Sequence, residues 1–121
     1  MKVNILGTDY EIIKKAYKDE PTFEKNSLDG YCDPWTKTIV YCDLDTDERW
    51  NDDPAETKRR CEKQTLRHEI VHAFFDESGL QASSFQFNGP YSKNEELIDW
   101  IALQGEKIYR AWAKAGALDV T

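Results

Sequence analysis

A chain of 121 residues has room for one domain, because domains commonly contain about 100–150 residues. Its net charge of −7, with 23 acidic against 16 basic residues, argues against nucleic acid as a partner, since a phosphate backbone is bound through clustered Lys and Arg. The mean hydropathy of −0.75 and the lack of an apolar run near the roughly 18 residues of a membrane span exclude a membrane protein, and the N-terminus does not resemble a secretory signal. We therefore expect a single cytoplasmic domain over residues 1–121.

The first half of the chain is rich in short β-forming stretches. Residues 7–9, Gly-Thr-Asp, separate the first two stretches and predict a strand–turn–strand pair. The three cysteines are an odd count, which predicts reduced thiols, although Cys32 and Cys42 flank a predicted turn and could pair if oxidised. The predicted elements are strands over 2–6, 10–16 and 36–42, and loops over 19–29 and 43–53.

Two long helices are predicted in the second half. Asp53 as N-cap, Pro54 at the first helical position and Glu56 as the partner in a capping box predict a helix that runs to about residue 78 and stops at Gly79. Apolar residues surround this helix over 66–75, so this part is expected to be buried. After a loop over 80–94, a second helix is predicted from 93 or 94 to 115, with its stop at Gly116.

The first helix carries a pattern that is typical of zinc sites. His68 and His72 are four residues apart, so both imidazoles lie on one face, with their Cβ atoms about 6 Å apart. Glu69 is rotated by about 100° from His68 and can contact a metal-bound water without being a ligand. The alternative is two ordinary histidines beside a salt-bridging Glu. However, two polar rings in one apolar turn are costly without a shared ion, so we predict zinc.

A third ligand must be Asp, Glu or Cys, because the chain has only two histidines. On a helical wheel of the second helix, Glu95 and Asp99 lie at one edge of an apolar arc, and Glu96 lies near the opposite side. Glu95 is therefore the predicted ligand, with Glu96 as the rival. Asp99, one turn on, could accept a hydrogen bond from a ligating imidazole.

The motif His68-Glu69-x-x-His72 followed by Glu95-x-x-x-Asp99 resembles the gluzincin pattern of thermolysin-like zinc peptidases. The compact context is similar to small phage-encoded relatives of the ImmA/IrrE-type metallopeptidases. The resemblance covers residues 66–103. It implies a minimal zincin-like α+β fold, in which a small N-terminal antiparallel or mixed sheet packs on two long helices. It further implies His68, His72 and Glu95 as zinc ligands, Glu69 as the catalytic base and Asp99 as the partner of a ligating imidazole.

The expected activity is hydrolysis of a peptide bond in a protein or peptide substrate by metal-activated water, with Glu69 as the general base. The chain has no further histidine to stabilise the oxyanion. Tyr91 is a candidate for that role, with Tyr31 and Tyr41 as alternatives. The strand over 36–42 could pair with an extended substrate if it lies at a sheet edge.

Two other functions remain open from the sequence. A small domain gains stability from a metal, so the chain could be a non-catalytic, zinc-stabilised binding module. Alternatively, Cys61, seven residues before His68, could close the site and make the zinc structural.

Overall fold

The computed structural model describes residues 1–83, 88–90 and 94–119. It is an α+β fold with one mixed four-stranded sheet and two long helices, which confirms the predicted fold class. The strands are β1 (Lys2–Ile5), β2 (Thr8–Ala16), β3 (Gly30–Asp33) and β4 (Thr38–Asp43). The helices are α1 (Pro21–Lys25), α2 (Ala55–Glu77), α3 (Leu80–Ser83) and α4 (Glu95–Lys114), with short 3-10 turns at Tyr17–Asp19, Leu44–Thr46 and Glu48–Trp50.

The strand order is β1-β2-β4-β3, so β4 is an interior strand and β1 and β3 are the edges. β1 pairs antiparallel with β2, β2 pairs parallel with β4, and β3 pairs antiparallel with β4. The predicted strand over 36–42 therefore exists as β4, but the prediction that it could bind a peptide at a sheet edge is wrong. Its apolar side chains explain the interior position, since Ile39 and Val40 are buried on opposite faces of the sheet.

Both faces of the sheet are covered. The larger core lies between the sheet and the long helices, where Tyr10, Ile39, Ile70 and Phe74 pack together. The smaller core, on the other face, is built around Phe23 of α1 with Val40, Cys42 and Leu44. The predicted loop over 19–29 is thus partly wrong. Pro21 opens a helix there, and the Glu20 carboxylate caps it by accepting from the Thr22 N–H at 3.3 Å.

The helix that carries the two histidines begins one residue later than predicted. Pro54 is its N-cap and no side chain caps it, so the predicted capping box of Asp53 and Glu56 is absent. Its end is as predicted: Ser78 is the C-cap, and Gly79 follows with φ +83°. This left-handed conformation, which favours glycine, ends α2 directly before α3, so the predicted loop over 80–94 is wrong for residues 80–83.

α4 packs antiparallel to α2. The Trp112 indole N–H donates to the carbonyl of Arg67 at 3.2 Å, and the Trp100 ring lies 4.8 Å from the Phe75 ring. The Asn94 side chain caps α4 by accepting from the Leu97 N–H. In the described part of the chain, no helix is long and apolar enough to cross a membrane.

The buried face of α4 differs from the predicted apolar arc. Ile108 and Ala111 are buried, whereas Ile98, Ile101 and Tyr109 are 44%, 52% and 58% exposed. Compared with the predicted helical wheel, the helix is therefore rotated so that the face with Ala111, and not the face with Ile98 and Ile101, packs against the core. The predicted arc is only partly confirmed.

Candidate metal centre

The two imidazoles of α2 converge on one point. The Nε2 atoms of His68 and His72 are 3.2 Å apart, and the ring centroids are 4.8 Å apart at 68°. Both side chains are exposed, contrary to the expected burial of this part of the helix. They lie outside the buried stripe of α2, which runs through Leu66, Ile70 and Ala73. An ion at this point would be open to solvent on one side.

Glu69 lies on the inner side of the two imidazoles. Its side chain is only 7% exposed, and burial raises the pKa of its carboxyl, while the charge of His68 lowers it by less. Its carboxylate and the two imidazoles form a group whose ligand atoms all lie within 4.8 Å of one another. The structure thus brings together three of the predicted site residues.

Gly30 of β3 allows Glu69 to sit this close to the sheet. A Cβ atom at position 30 would lie 2.7 Å from Thr65 Cγ2 and 2.9 Å from the Val40 carbonyl oxygen, and 3.5 Å from Glu69 Cγ. Any side chain there would push β3 away from α2. Gly30 was not singled out from the sequence. The sequence signal that could have identified it is its place inside a strand, because a glycine there often marks the close approach of another element.

A cleft runs along β3 on both sides of the metal group. One part, of about 410 Å³, is lined by Tyr31, Cys32 and Pro34 of the β3 segment and by Asp76 of α2. The other part, of about 310 Å³, is lined by Asp29 and, from α2, by Cys61, Gln64 and Thr65. Gly30, His68 and Glu69 border both parts, so the metal group lies in the middle of the cleft.

The cysteines show no sign of a disulfide or of a closed zinc site. All three are free, and Cys32 and Cys42 lie three positions apart along the β3–β4 ladder, about 10 Å, which is too far for a bond. The suggested Cys32–Cys42 pairing is therefore wrong. Cys61 lines the cleft but does not belong to the group formed by the two histidines and Glu69.

Burial is the main cause that raises the pKa of every thiol. Burial raises the pKa of the Cys32 thiol and of the Cys42 thiol to about 12, and it also raises the pKa of the Cys61 thiol. For Cys32, the nearby charges of Asp76 and Glu69 add to the effect of burial. All three cysteines are therefore protonated at neutral pH.

The predicted residues of the second helix are not part of the metal group. Glu95, Glu96 and Asp99 are all exposed, at the first turns of α4. Glu95 as third ligand and Asp99 as partner of an imidazole thus stay predictions.

The three tyrosines suggested for the oxyanion are placed differently. Tyr91 lies outside the described residues. Tyr31 borders the cleft, but its hydroxyl donates to Glu20 at 2.9 Å. Tyr41 lines a different cavity, beside Lys14 and Glu62. No tyrosine among the described residues is therefore assigned to the oxyanion.

Asp76 is a further carboxylate beside the metal group. It lies one helical turn after His72 and lines the same part of the cleft. Its charge acts on His72, whose pKa is nevertheless lowered, first by burial and then by His68. The four-residue spacing of His72-x-x-x-Asp76 is the sequence signal that could have identified this neighbour.

No protein-family model matches the chain, and no curated protein or solved structure matches it at a significant level.

Proposed function

We propose that the protein is a zinc-dependent peptidase. The observation that carries this proposal is the convergence of the His68 and His72 Nε2 atoms beside the buried Glu69 carboxylate. The donor set fits zinc, which prefers imidazole nitrogen and carboxylate oxygen ligands. The lowered pKa of His72 favours its neutral form, and only neutral imidazole can bind a metal.

Zinc, when bound, supplies Lewis-acid activation of water and of the substrate carbonyl. The chain itself supplies the proton acceptor. The Glu69 carboxylate takes a proton from water and passes it to the leaving amine. Burial raises its pKa, and this direction favours both steps, because an acid–base group works better as its pKa moves toward the working pH.

No described strand pairs with the outer edge of β3, so this edge can align an extended substrate. The Cys42 N–H donates to the Asp29 carbonyl at 2.8 Å, so these two residues form a hydrogen-bonded pair of the ladder. Because such pairs alternate along antiparallel strands, the backbone groups of Gly30 and Cys32 point to the open edge. A peptide that pairs with these groups would run along the cleft and pass the metal group.

The first test is the metal content. We expect about one zinc per chain, measured by elemental analysis after mild dialysis. His72→Ala should abolish this binding and remove the stabilisation that zinc gives, which is about 2.7 kcal/mol when free zinc is a hundred times the dissociation constant. Gln64→Ala, an exposed position one turn before His68, is the matched control and should keep the ion. A wild-type protein without stoichiometric transition metal would contradict the proposal.

The second test concerns the third ligand. Glu95→Ala should weaken zinc binding by more than the roughly 10–100-fold that is lost with an outer hydrogen-bond partner, whereas Glu96→Ala should be nearly silent. Competition with a chromophoric chelator measures both. The opposite order of effects would make Glu96 the ligand. If both variants keep full affinity, Asp76→Asn is the next variant to measure, because Asp76 lies beside His72.

A further inference from the structure

A second groove lies at the other edge of the sheet from the metal centre. It has a volume of about 580 Å³ and runs between β1 and α4. Its floor is apolar, with the buried side chains Val3, Phe74 and Ala111. Its position at the β1 edge separates it from the cleft along β3. A ligand of this groove would therefore leave the metal centre accessible.

The walls of this groove carry a concentration of positive charge. Lys2 of β1 and Lys107, Arg110 and Lys114 of α4 all line it, against one acidic lining residue, Asp9, in a chain whose net charge is −7. Within the described part of the chain, none of these four side chains forms a hydrogen bond or an ion pair. Most other described basic residues are paired, for example Lys14 with Glu62 and Arg59 with Asp45, whereas Lys18, Lys25 and Lys63 are not. The groove thus gathers four cations that have no acidic partner among residues 1–83, 88–90 and 94–119.

The strand at this groove offers unused backbone groups. Met1 and Ile12 form a hydrogen-bonded pair, since the Ile12 N–H donates to the Met1 carbonyl at 2.7 Å and the Met1 amine donates back to the Ile12 carbonyl at 3.4 Å. Because such pairs alternate, the backbone groups of Lys2 and Asn4 point away from β2. No described strand pairs with that side of β1. The edge is therefore free to accept another strand.

We propose that the groove between β1 and α4 binds an extended, acidic segment of a partner protein. The segment would add a strand to β1 through the outward groups of Lys2 and Asn4. Its carboxylates would face Lys107, Arg110 and Lys114, and its apolar side chains would rest on Val3 and Phe74. Strand addition provides affinity through the main chain, and the charged wall selects acidic sequences.

Charge favours a peptide over a nucleic acid as the occupant. A nucleic acid extends its phosphates well beyond four cations and would meet the excess of acidic residues on the rest of the surface. A short acidic segment can confine its charges to the basic wall. The apolar floor and the free strand edge also suit a polypeptide, because a phosphate backbone cannot continue a β-ladder.

The test uses the full chain and three synthetic hexapeptides that alternate Val with Glu, Gln or Lys. Binding is followed by amide chemical shifts and by fluorescence anisotropy. We expect the Glu peptide to bind most tightly and to shift the amides of Lys2 and Asn4. The double variant Lys107→Glu, Arg110→Glu should weaken its binding at least about tenfold, because two attractive contacts become repulsive.

A matched control separates the groove from the overall charge. Lys18→Glu, Lys25→Glu changes the net charge by the same amount at two exposed positions outside the groove and should leave the affinity nearly unchanged. Lys2→Pro should weaken binding more than Lys2→Gln, because only proline also removes the outward N–H. Circular dichroism checks that each variant is folded.

Several outcomes would overturn the proposal. The first is that the Glu peptide does not bind at about millimolar concentration. The second is that both double variants lose the same amount of affinity for this peptide. The third is that a single-stranded oligonucleotide binds more tightly than the peptide and shifts the same amides. None of these readouts involves zinc or hydrolysis, so they are independent of the proposed peptidase activity.

Discussion

Glu69→Gln is expected to abolish peptide-bond hydrolysis while zinc, fold and substrate binding are kept. Gln has the size of Glu but cannot accept a proton from water, and a positioned general base contributes roughly 10²–10⁴-fold to a rate. The variant also places a neutral group at a site where burial already disfavours charge, so it should fold at least as well as the wild type. The measurement is the rate at which a candidate protein substrate is cleaved by equal amounts of the two zinc-loaded forms.

Two controls make this result specific. A chelator should remove the same cleavage product, and Glu56→Gln, an exposed carboxylate near the start of the same helix, should cleave like the wild type. If a cleaved partner is found and Glu69→Gln still cleaves it, Glu69 is not the base. If both forms bind zinc and a partner equally and neither cleaves it, the protein is a zinc-stabilised binding module. Candidate proteins must be included, because a selective peptidase can ignore generic peptides.

Glu62→Ala is expected to destabilise the fold clearly. Glu62 is 5% exposed, and one carboxylate oxygen accepts from the Leu44 N–H at 2.9 Å while the other accepts from Lys14 at 3.1 Å. Arg59 of the same helix binds this carboxylate too. Truncation leaves the buried Leu44 N–H without its acceptor, which costs about 1–3 kcal/mol. It also removes the ion-pair partner of Lys14 and Arg59, whose side chains are half-exposed. Urea unfolding with a chelator present measures this loss without any contribution from bound metal.

The matched control is again Glu56, whose exposed ion pair with Arg60 spans one helical turn. Glu56→Ala should change the free energy of unfolding by no more than about 0.5 kcal/mol, because exposed pairs of this kind contribute little. Similar losses in both variants would show that the contacts of Glu62 are not the source of its effect.

The features that could be predicted from the sequence are those with local causes. Four-residue spacing on a helix is enough to bring His68 and His72 together. Asn94 and Gly116 mark the ends of α4 through interactions within one turn, and both ends were predicted correctly. The first two strands were predicted because Gly7 provides the turn between them.

The features that were missed depend on distant parts of the chain. The interior position of β4 results from parallel pairing with β2, and nothing within residues 38–43 specifies that neighbour. The rotation of α4 was missed because Ile98 and Ile101 are as apolar as the buried Ile108, so only the neighbouring elements decide which of them is covered. Gly30 matters only because Thr65 and Glu69 lie against it.

Because the three thiols are protonated in the folded protein, their alkylation can be used to follow its local unfolding. Alkylating reagents attack the thiolate, so the buried Cys42 and the half-buried Cys32 and Cys61 should react slowly in the folded protein and rapidly once their surroundings separate. The three thiols occupy different places: Cys42 in the smaller core, Cys32 on the edge strand, and Cys61 on the long helix below the histidines. The order in which they become labelled in the unmodified protein would therefore show which part of the structure loosens first.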